Sequence, residues 1–482
     1  MYTNSHTMKI LLISTNRNTL PMPVMPIGAC IMAQAAERAG HTVHLLDLMF
    51  TRDAPAAIEA ALLGFKPDAV GLSVRNIDNN DMRNPVFFLE DLNTIVNAIR
   101  AGSSAPIILG GAALGVMPEQ ILQLTAATCA VIGDGERVFP LLLDHISHGK
   151  DFTGIPGVAG LDHGSYYWNA PAEESCPASC PTPDYRRWLD TSAYRSQMST
   201  TPIQTKTGCQ FQCVYCTYPG IEGRSCRLKD PASVADSVAR LAAAGHRDIE
   251  IVDSVFNAPL EHAMNVCHEL ARAGHTARLQ CLELNPRYFD DALMTAMERA
   301  GFVGMGITLE SASDPVLQGL RKGFGSREVH HAAEVVRRHR IPCVWIFLFG
   351  GPGETEATVR ETLHFARTCI HPRDVAFFNT GIRIYPGTEL ESIAREQGLL
   401  TCSPPEMLSP VFYLSPDLDA RWLEQELKKA MLGNMNFITM DTMGLSCLPT
   451  IHRVCSRVGM RPPLWRHTRI IRRGLRLVGM DV

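Results

Sequence analysis

The chain contains no run of 18 apolar residues, so no stretch of it reads as a helix that crosses a bilayer. It has no excess of one charge: 45 Lys and Arg face 49 Asp and Glu, a formal net charge of −4. That balance gives no global pull toward nucleic acid or an anionic membrane. The opening MYTNSHTMKILLIST has no charged stretch followed by a long apolar one, so no secretion signal is expected. No compact GxGxxG turn follows the first apolar run, which weakens a dinucleotide-binding reading. No His lies between His6 and His41, and no short-period repeat is visible. What is present is a chain of 482 residues, 46% hydrophobic, long enough for two to four domains. Its 15 cysteines, without a secretion signal, point to a reducing cytoplasm with thiols and metal rather than disulfides.

Three of those cysteines organise the rest. Cys209-Gln-Phe-Gln-Cys213-Val-Tyr-Cys216 is a CxxxCxxC run. Three thiolates on one loop can converge on a soft metal centre, and three is one short of the set that closes a [4Fe–4S] cluster. One iron is left open to bind a small molecule, so the cluster reads as catalytic. Cys176 and Cys180 are a second pair, read as incidental thiols.

Residues 1–150 alternate strand and helix. Strands are expected at 9–15, 41–47, 69–74, 106–111 and 130–136, with helices at 27–40, 54–63 and 87–101 and another starting near Val138. Glycines fall at strand ends, at Gly110-Gly111 and Gly133-Asp134-Gly135-Glu136. That is the pattern of a doubly wound parallel sheet, which binds ligands at the carboxyl ends of its strands. Residues 151–194, rich in proline and glycine, read as a linker with some strand content. Residues 195–400 hold six strand-helix units, with strands at 202–207, 248–253, 279–284, 304–310, 343–350 and 374–379. They read as a partial (βα)₆ barrel with its site at the strand carboxyl ends. The fold class is therefore α/β: a Rossmann-like sheet, a barrel and a small, mostly helical C-terminal region, 401–482. The last 32 residues carry eight Arg against one acid, Asp481, with Trp465, Ile470, Ile471, Leu475, Leu477 and Val478 among them. Such a basic amphipathic segment can lie on an anionic bilayer or cap the barrel mouth.

The CxxxCxxC run with Tyr215 before its last Cys resembles the signature of the radical S-adenosylmethionine (SAM) enzymes. Later stretches resemble the same family in order: 218–227 after the cluster, Gly306-Ile-Thr-Leu-Glu-Ser-Ala-Ser-Asp314, Gly350-Gly-Pro-Gly-Glu354 and Ile384-Tyr-Pro-Gly-Thr388. The open sheet ahead of them resembles a cobalamin-binding domain. Together they resemble the cobalamin (B12)-dependent radical SAM enzymes.

The resemblance implies three cofactors: a [4Fe–4S] cluster on Cys209, Cys213 and Cys216, SAM on the open iron, and cobalamin on the N-terminal sheet. It implies SAM contacts from Tyr215, Glu310, Ser311, Gly350, Gly351 and Arg227, with Arg383 as another carboxylate holder. It implies cobalamin contacts from Gly110, Gly111, Gly133, Gly135 and Glu136. The DxHxxG motif that supplies an axial His in many cobalamin proteins is absent, so Arg75 or Asn76 becomes the candidate for the lower cobalt face. The implied activity is methyltransfer to an unactivated carbon of a small molecule or lipid-like substrate, with a reductant such as flavodoxin or ferredoxin as partner. Cyclisation or rearrangement without methyl transfer, and a cluster-based sensor without catalysis, are the alternative readings.

Overall fold

The structure, a computed structural model, describes residues 7–171, 182–477 and 479. The Cys176–Cys180 pair lies outside the described residues. Two seven-stranded sheets carry the molecule. The first has the order β2-β1-β3-β4-β5-β6-β7, built from Lys9–Ser14 (β1), Thr42–Asp47 (β2), Ala69–Ser73 (β3), Ile107–Gly110 (β4), Cys129–Val131 (β5), Val158–Asp162 (β6) and Ser165–Trp168 (β7). The pairs from β2 to β5 are parallel, whereas β5–β6 and β6–β7 are antiparallel. The central strands are apolar on both faces because helices cover both: β1 buries all but its first residue, and β5 buries all three. The stretch 151–171, expected as linker, thus extends the first sheet by a hairpin. The strand expected over 130–136 ends at Val131, and a helix, Gly135–Ser147, begins within the glycine-rich turn.

The second sheet has the order β18-β15-β14-β13-β12-β11-β8, with every pair parallel. Thr201–Ile203 (β8) leads into a short hairpin, Lys206–Thr207 (β9) and Arg227–Leu228 (β10), whose connection carries the three cysteines. Asp248–Ile251 (β11), Arg278–Leu284 (β12), Phe302–Glu310 (β13), Cys343–Phe349 (β14) and Val375–Thr380 (β15) complete the six expected strands. A further hairpin, Ile382–Arg383 (β16) with Phe412–Tyr413 (β17), precedes the seventh barrel strand, Phe437–Thr439 (β18), which comes from the C-terminal region and pairs with β15. The six-strand expectation is corrected by one.

Local chemistry explains the helix starts. The carboxylates of Asp230 and Asp290 accept from the backbone N–H of Ser233 and Leu293, and Asp419 does the same for Trp422. Trp345, Phe347 and Phe349 on β14 are buried with Phe378 and Phe437, so that aromatic strand belongs to the core. The expected C-terminal helix runs Ala420–Gly433, and two basic helices, Leu448–Arg457 and Thr468–Leu477, follow. No helix among the described residues is long and apolar enough to cross a membrane.

Candidate active site between the sheet edge and the cysteine loop

The cysteine loop is braced at both ends by carboxylates, Asp253 buried and Glu222 half-buried. Asp253, at the end of β11, accepts from the Thr205 N–H (2.7 Å), the Thr205 hydroxyl (2.5 Å) and the Lys206 N–H (3.3 Å). Glu222 accepts from the Gly208 N–H (3.1 Å) and from Gln204 (3.2 Å). Burial raises the pKa of both carboxyls, and these donors oppose the rise. Gly208 has φ +87°, and a Cβ there would lie 2.1 Å from the Ser225 carbonyl oxygen, so only glycine fits. Mid-loop, the Val214 N–H donates to the Leu320 carbonyl (3.2 Å) and the Leu390 N–H to the Val214 carbonyl (2.9 Å).

The three thiols share this one loop. Cys209 is buried, and Cys213 and Cys216 are partly exposed. Burial pushes the Cys213 and Cys216 thiols up, Cys216 to about 12, and each is pushed further by the neighbouring cysteines. Among the described residues no three metal-type side chains form a closed site. The donor set fits an iron–sulfur cluster. Three soft ligands crowd one loop, and their mutual repulsion as thiolates is relieved by bound iron.

Behind the loop lies a buried ion pair that the sequence did not announce. Lys322 Nζ sits 2.6 Å from Glu310 Oε2, and the Tyr215 hydroxyl donates to Glu310 Oε1 at 2.6 Å. Lys322 also donates to the Tyr215 oxygen (3.3 Å). Burial alone would lower the lysine pKa, but Glu310 and the thiols Cys213 and Cys216 raise it instead. Lys322 therefore stays cationic beside the cysteines. Glu310 adopts φ +62° where the β13–β14 register shifts, a conformation held by this pairing. Glu283, on β12, has its pKa raised to about 8 by burial and by Glu310, with Lys322 opposing.

The other expected SAM-side residues are placed less directly. The Ser311 hydroxyl is fully buried and bonds Thr362 (2.9 Å), away from the loop. The Gly350 and Gly351 N–H groups both donate to the buried Glu354 carboxylate, whose pKa burial raises to about 7. Arg227 turns to the other domain and pairs with Asp134 at 2.6 Å. Arg383, expected to hold a ligand carboxylate, is instead buried and consumed by Asp78 (2.8 Å) and the carbonyls of Ile384 and Met407.

Facing the loop is the carboxyl edge of the first sheet. A cavity of about 190 Å³ opens there, lined by Gly110, Gly111, Gly133, Gly135 and Glu136 from that edge and by Thr207 and Glu222 from the barrel side. The expected glycines are thus brought together, and the cysteine-loop hairpin forms the opposite wall. Gly111 has φ +102°, and a Cβ would meet the Val74 carbonyl oxygen at 2.4 Å. Gly115 and Gly220 let the two domains touch closely, since a Cβ on Gly220 would lie 2.6 Å from the Gly115 oxygen. Among the described residues no histidine lines this cavity. Arg75 lies exposed just past β3 on the same edge, and the Asn76 carboxamide folds back on it; with its amide O and N interchanged to suit these partners, it donates to the Arg75 carbonyl (3.0 Å) and accepts from its guanidinium (3.3 Å). A side-chain-poor edge of this kind fits a large flat ligand such as a corrin, which backbone can approach closely.

Comparison with known proteins agrees with this geometry. A B12 binding domain model matches residues 13–143, and a Radical SAM superfamily model matches residues 203–366. The tryptophan 2-C-methyltransferase of Streptomyces laurentii is 24% identical over 447 residues, covering 79% of this chain and 74% of that protein. The hopanoid C-3 methylase of Methylococcus capsulatus is 23% identical over 258 residues, 52% of this chain and 46% of that one. In fold, the chain is similar to TsrM, a radical SAM methyltransferase from Kitasatospora setae solved with cobalamin and a [4Fe–4S] cluster bound. The TM-score is 0.85 at 24% identity, covering 98% of this chain and 100% of the other. With a cobalamin-type sheet edge facing a CxxxCxxC loop, and with both domain models matched in that order, the chain belongs to the cobalamin-dependent radical SAM enzymes.

Proposed function

We propose that the protein is a C-methyltransferase that acts on a carbon atom of a small molecule. One observation carries the reading. The glycine-lined cavity draws its walls from both domains, so a ligand on the sheet edge lies against the hairpin that holds the cysteines. Bound there, the cluster with SAM would supply electrons and hydrogen abstraction, and cobalamin a transferable methyl group. Cys209, Cys213 and Cys216 would hold the cluster; Gly110, Gly111, Gly133, Gly135 and Glu136 would border the corrin and its tail. Arg75, positioned by Asn76, is the candidate for the lower cobalt face. A cation there would disfavour additional positive charge on the metal and so would favour reduced cobalt.

The Lys322–Glu310–Tyr215 group keeps a fixed positive charge beside the thiolates. Glu310 already has both oxygens engaged, so it would meet SAM hydroxyls only by sharing these partners. Gly350 and Gly351 would shape the adenine side through the Glu354-clamped turn. Arg227 would act across the domain boundary, holding Asp134 next to the cavity. A small reducing protein such as a flavodoxin or ferredoxin would supply electrons.

The test is anaerobic reconstitution with iron, sulfide and hydroxocobalamin, reduction with titanium(III) citrate, and then addition of SAM labelled at its methyl carbon. The expected result is bound cobalamin, a cluster spectrum and label recovered on cobalamin. A cluster spectrum without bound cobalamin would overturn the reading.

The membrane contact is a second part of the proposal. Val454, Val458, Ile470 and Leu477 are exposed on the two basic helices, beside the exposed Arg453, Arg457, Arg469 and Arg473. Between Asp441 and Asp481 the sequence has no acid. That surface suits anionic lipid headgroups. Co-sedimentation with phosphatidylglycerol vesicles that falls away when Arg469 and Arg473 become Glu would support it; equal pelleting of the two proteins would refute it.

A further inference from the structure

The barrel sheet is open between its edge strands, β8 and β18. A chamber of about 140 Å³ lies beside that opening. Its walls are Leu282 of β12, Ile438 of β18, Met443 and Trp465 of the C-terminal segment, and Met22 from the loop after β1. Almost all of its surface is apolar. The loop that carries Met22 leaves the same carboxyl edge of the first sheet that borders the glycine-lined cavity.

The chamber has one polar link to the barrel interior. Gln280, also in its wall, is buried, and its amide N–H donates to Glu250 Oε2 at 2.8 Å. The Thr200 hydroxyl donates to the same oxygen at 2.5 Å. Among the described residues no donor reaches Glu250 Oε1, and Glu250 is only half-buried, whereas Gln280 Oε1 is buried without a partner. Burial raises the Glu250 pKa; the two hydrogen bonds and the charge of Arg75 oppose that rise. Glu250 thus lies within electrostatic reach of the sheet edge on one side and is tied to the chamber wall on the other.

A barrel interior that offers a carboxylate with one open oxygen, joined through Gln280 to the wall of an apolar hole, is built to hold something. Size decides the class. An apolar cavity of about 150 Å³ takes a molecule like benzene, so this one takes about one ring and not a polycyclic skeleton. The charge decides the orientation, because an open carboxylate oxygen accepts from N–H or O–H.

We infer that the chamber and Glu250 form the substrate pocket: it takes a compact, ring-bearing molecule, the ring in the chamber and an N–H or O–H donor on Glu250 Oε1. The inference rests on the methyltransferase reading and deepens it. Thr200 and Gln280 are positioning residues that fix the carboxylate.

Indole and benzofuran are suitable probes, since they share a shape and differ in the N–H. Their binding to the reconstituted holoenzyme can be followed by saturation-transfer NMR and competition. Indole is expected to bind at least tenfold more tightly than benzofuran. In Glu250→Met that preference should fall to about one while benzofuran still binds. In Ile438→Trp and, separately, Leu282→Trp, both probes should be lost while cluster and cobalamin spectra are kept, which shows that the variants are folded. Three results would each overturn the inference: neither probe binding the wild type at millimolar concentration, equal affinity for the two in wild type, or unchanged binding in both chamber-filling variants. SAM cleavage, measured in the same samples, reports on the enzyme reading separately. If SAM is split but neither probe binds, only the pocket assignment fails.

Discussion

The two sides of the central cleft are made by opposite means. On the sheet edge, space is created by removing side chains: Gly110, Gly111, Gly133 and Gly135 leave backbone facing the cavity. On the cysteine side, space is defined by closely packed ionisable side chains, with the Lys322–Glu310 pair at the centre and Glu283, Asp253 and Glu222 around the same loop. The first side can receive a large ligand with little electrostatic demand. The second fixes charge before any ligand arrives, as suits a site where electrons move. The difference teaches that damage on one side should be steric and local, and on the other electrostatic and destabilising.

Replacing Cys209, Cys213 or Cys216 by Ala should abolish the cluster absorbance and SAM cleavage while leaving cobalamin binding intact; loss of both cofactors together would mean that the sides are not separable. Lys322→Met should cost about 3–5 kcal/mol by stranding the buried Glu310 charge, read as a lower urea midpoint, with part of the loss recovered in Lys322→Met/Glu310→Leu. Gly111→Val should weaken cobalamin binding about a hundredfold, or ~2.7 kcal/mol, with the cluster spectrum unchanged.

Glu354 tests the charged side through pH. Its folded pKa is raised to about 7 from 4.5, so the folded state binds a proton more readily than the unfolded chain. Its contribution is therefore intact below pH 4.5 and is lost as pH rises toward 7. Glu354→Gln should remove about 2 kcal/mol of that decline, seen as a flatter stability profile between pH 5 and 8. The smallest effect is expected from Arg227→Ala. The partly exposed pair with Asp134 should be worth no more than about 1 kcal/mol, detectable as a slight weakening of cobalamin binding.

Much of this was legible in the residue order. The six barrel strands and the five parallel strands of the first sheet carry short apolar or alternating runs, many with glycine or proline nearby, and CxxxCxxC marks its own loop. Phe437-Ile-Thr439 was not legible, because three residues show no period and their pairing with β15 is set by tertiary packing. Nor was the hairpin of β6 and β7, hidden in a proline-rich stretch. Lys322 sits in an unremarkable Arg-Lys-Gly turn; its partner Glu310 is twelve residues earlier and meets it only because β13 ends in a kink. Glu250 reads as an ordinary alternating strand residue. Arg227 and Arg383 were visible as candidates, but their partners Asp134 and Asp78 belong to the other domain, a pairing that no local pattern encodes.

The seventh barrel strand has a consequence for how the molecule is made. Until residues 437–439 leave the ribosome, β15 is an unpaired sheet edge, with Phe378 lacking its edge-on neighbour Phe437. The nascent barrel must spend the synthesis of nearly sixty residues after β15 with a sticky, half-finished rim. Chains interrupted in that interval should be the ones that aggregate or engage chaperones, even though every residue of the cysteine loop has already been made.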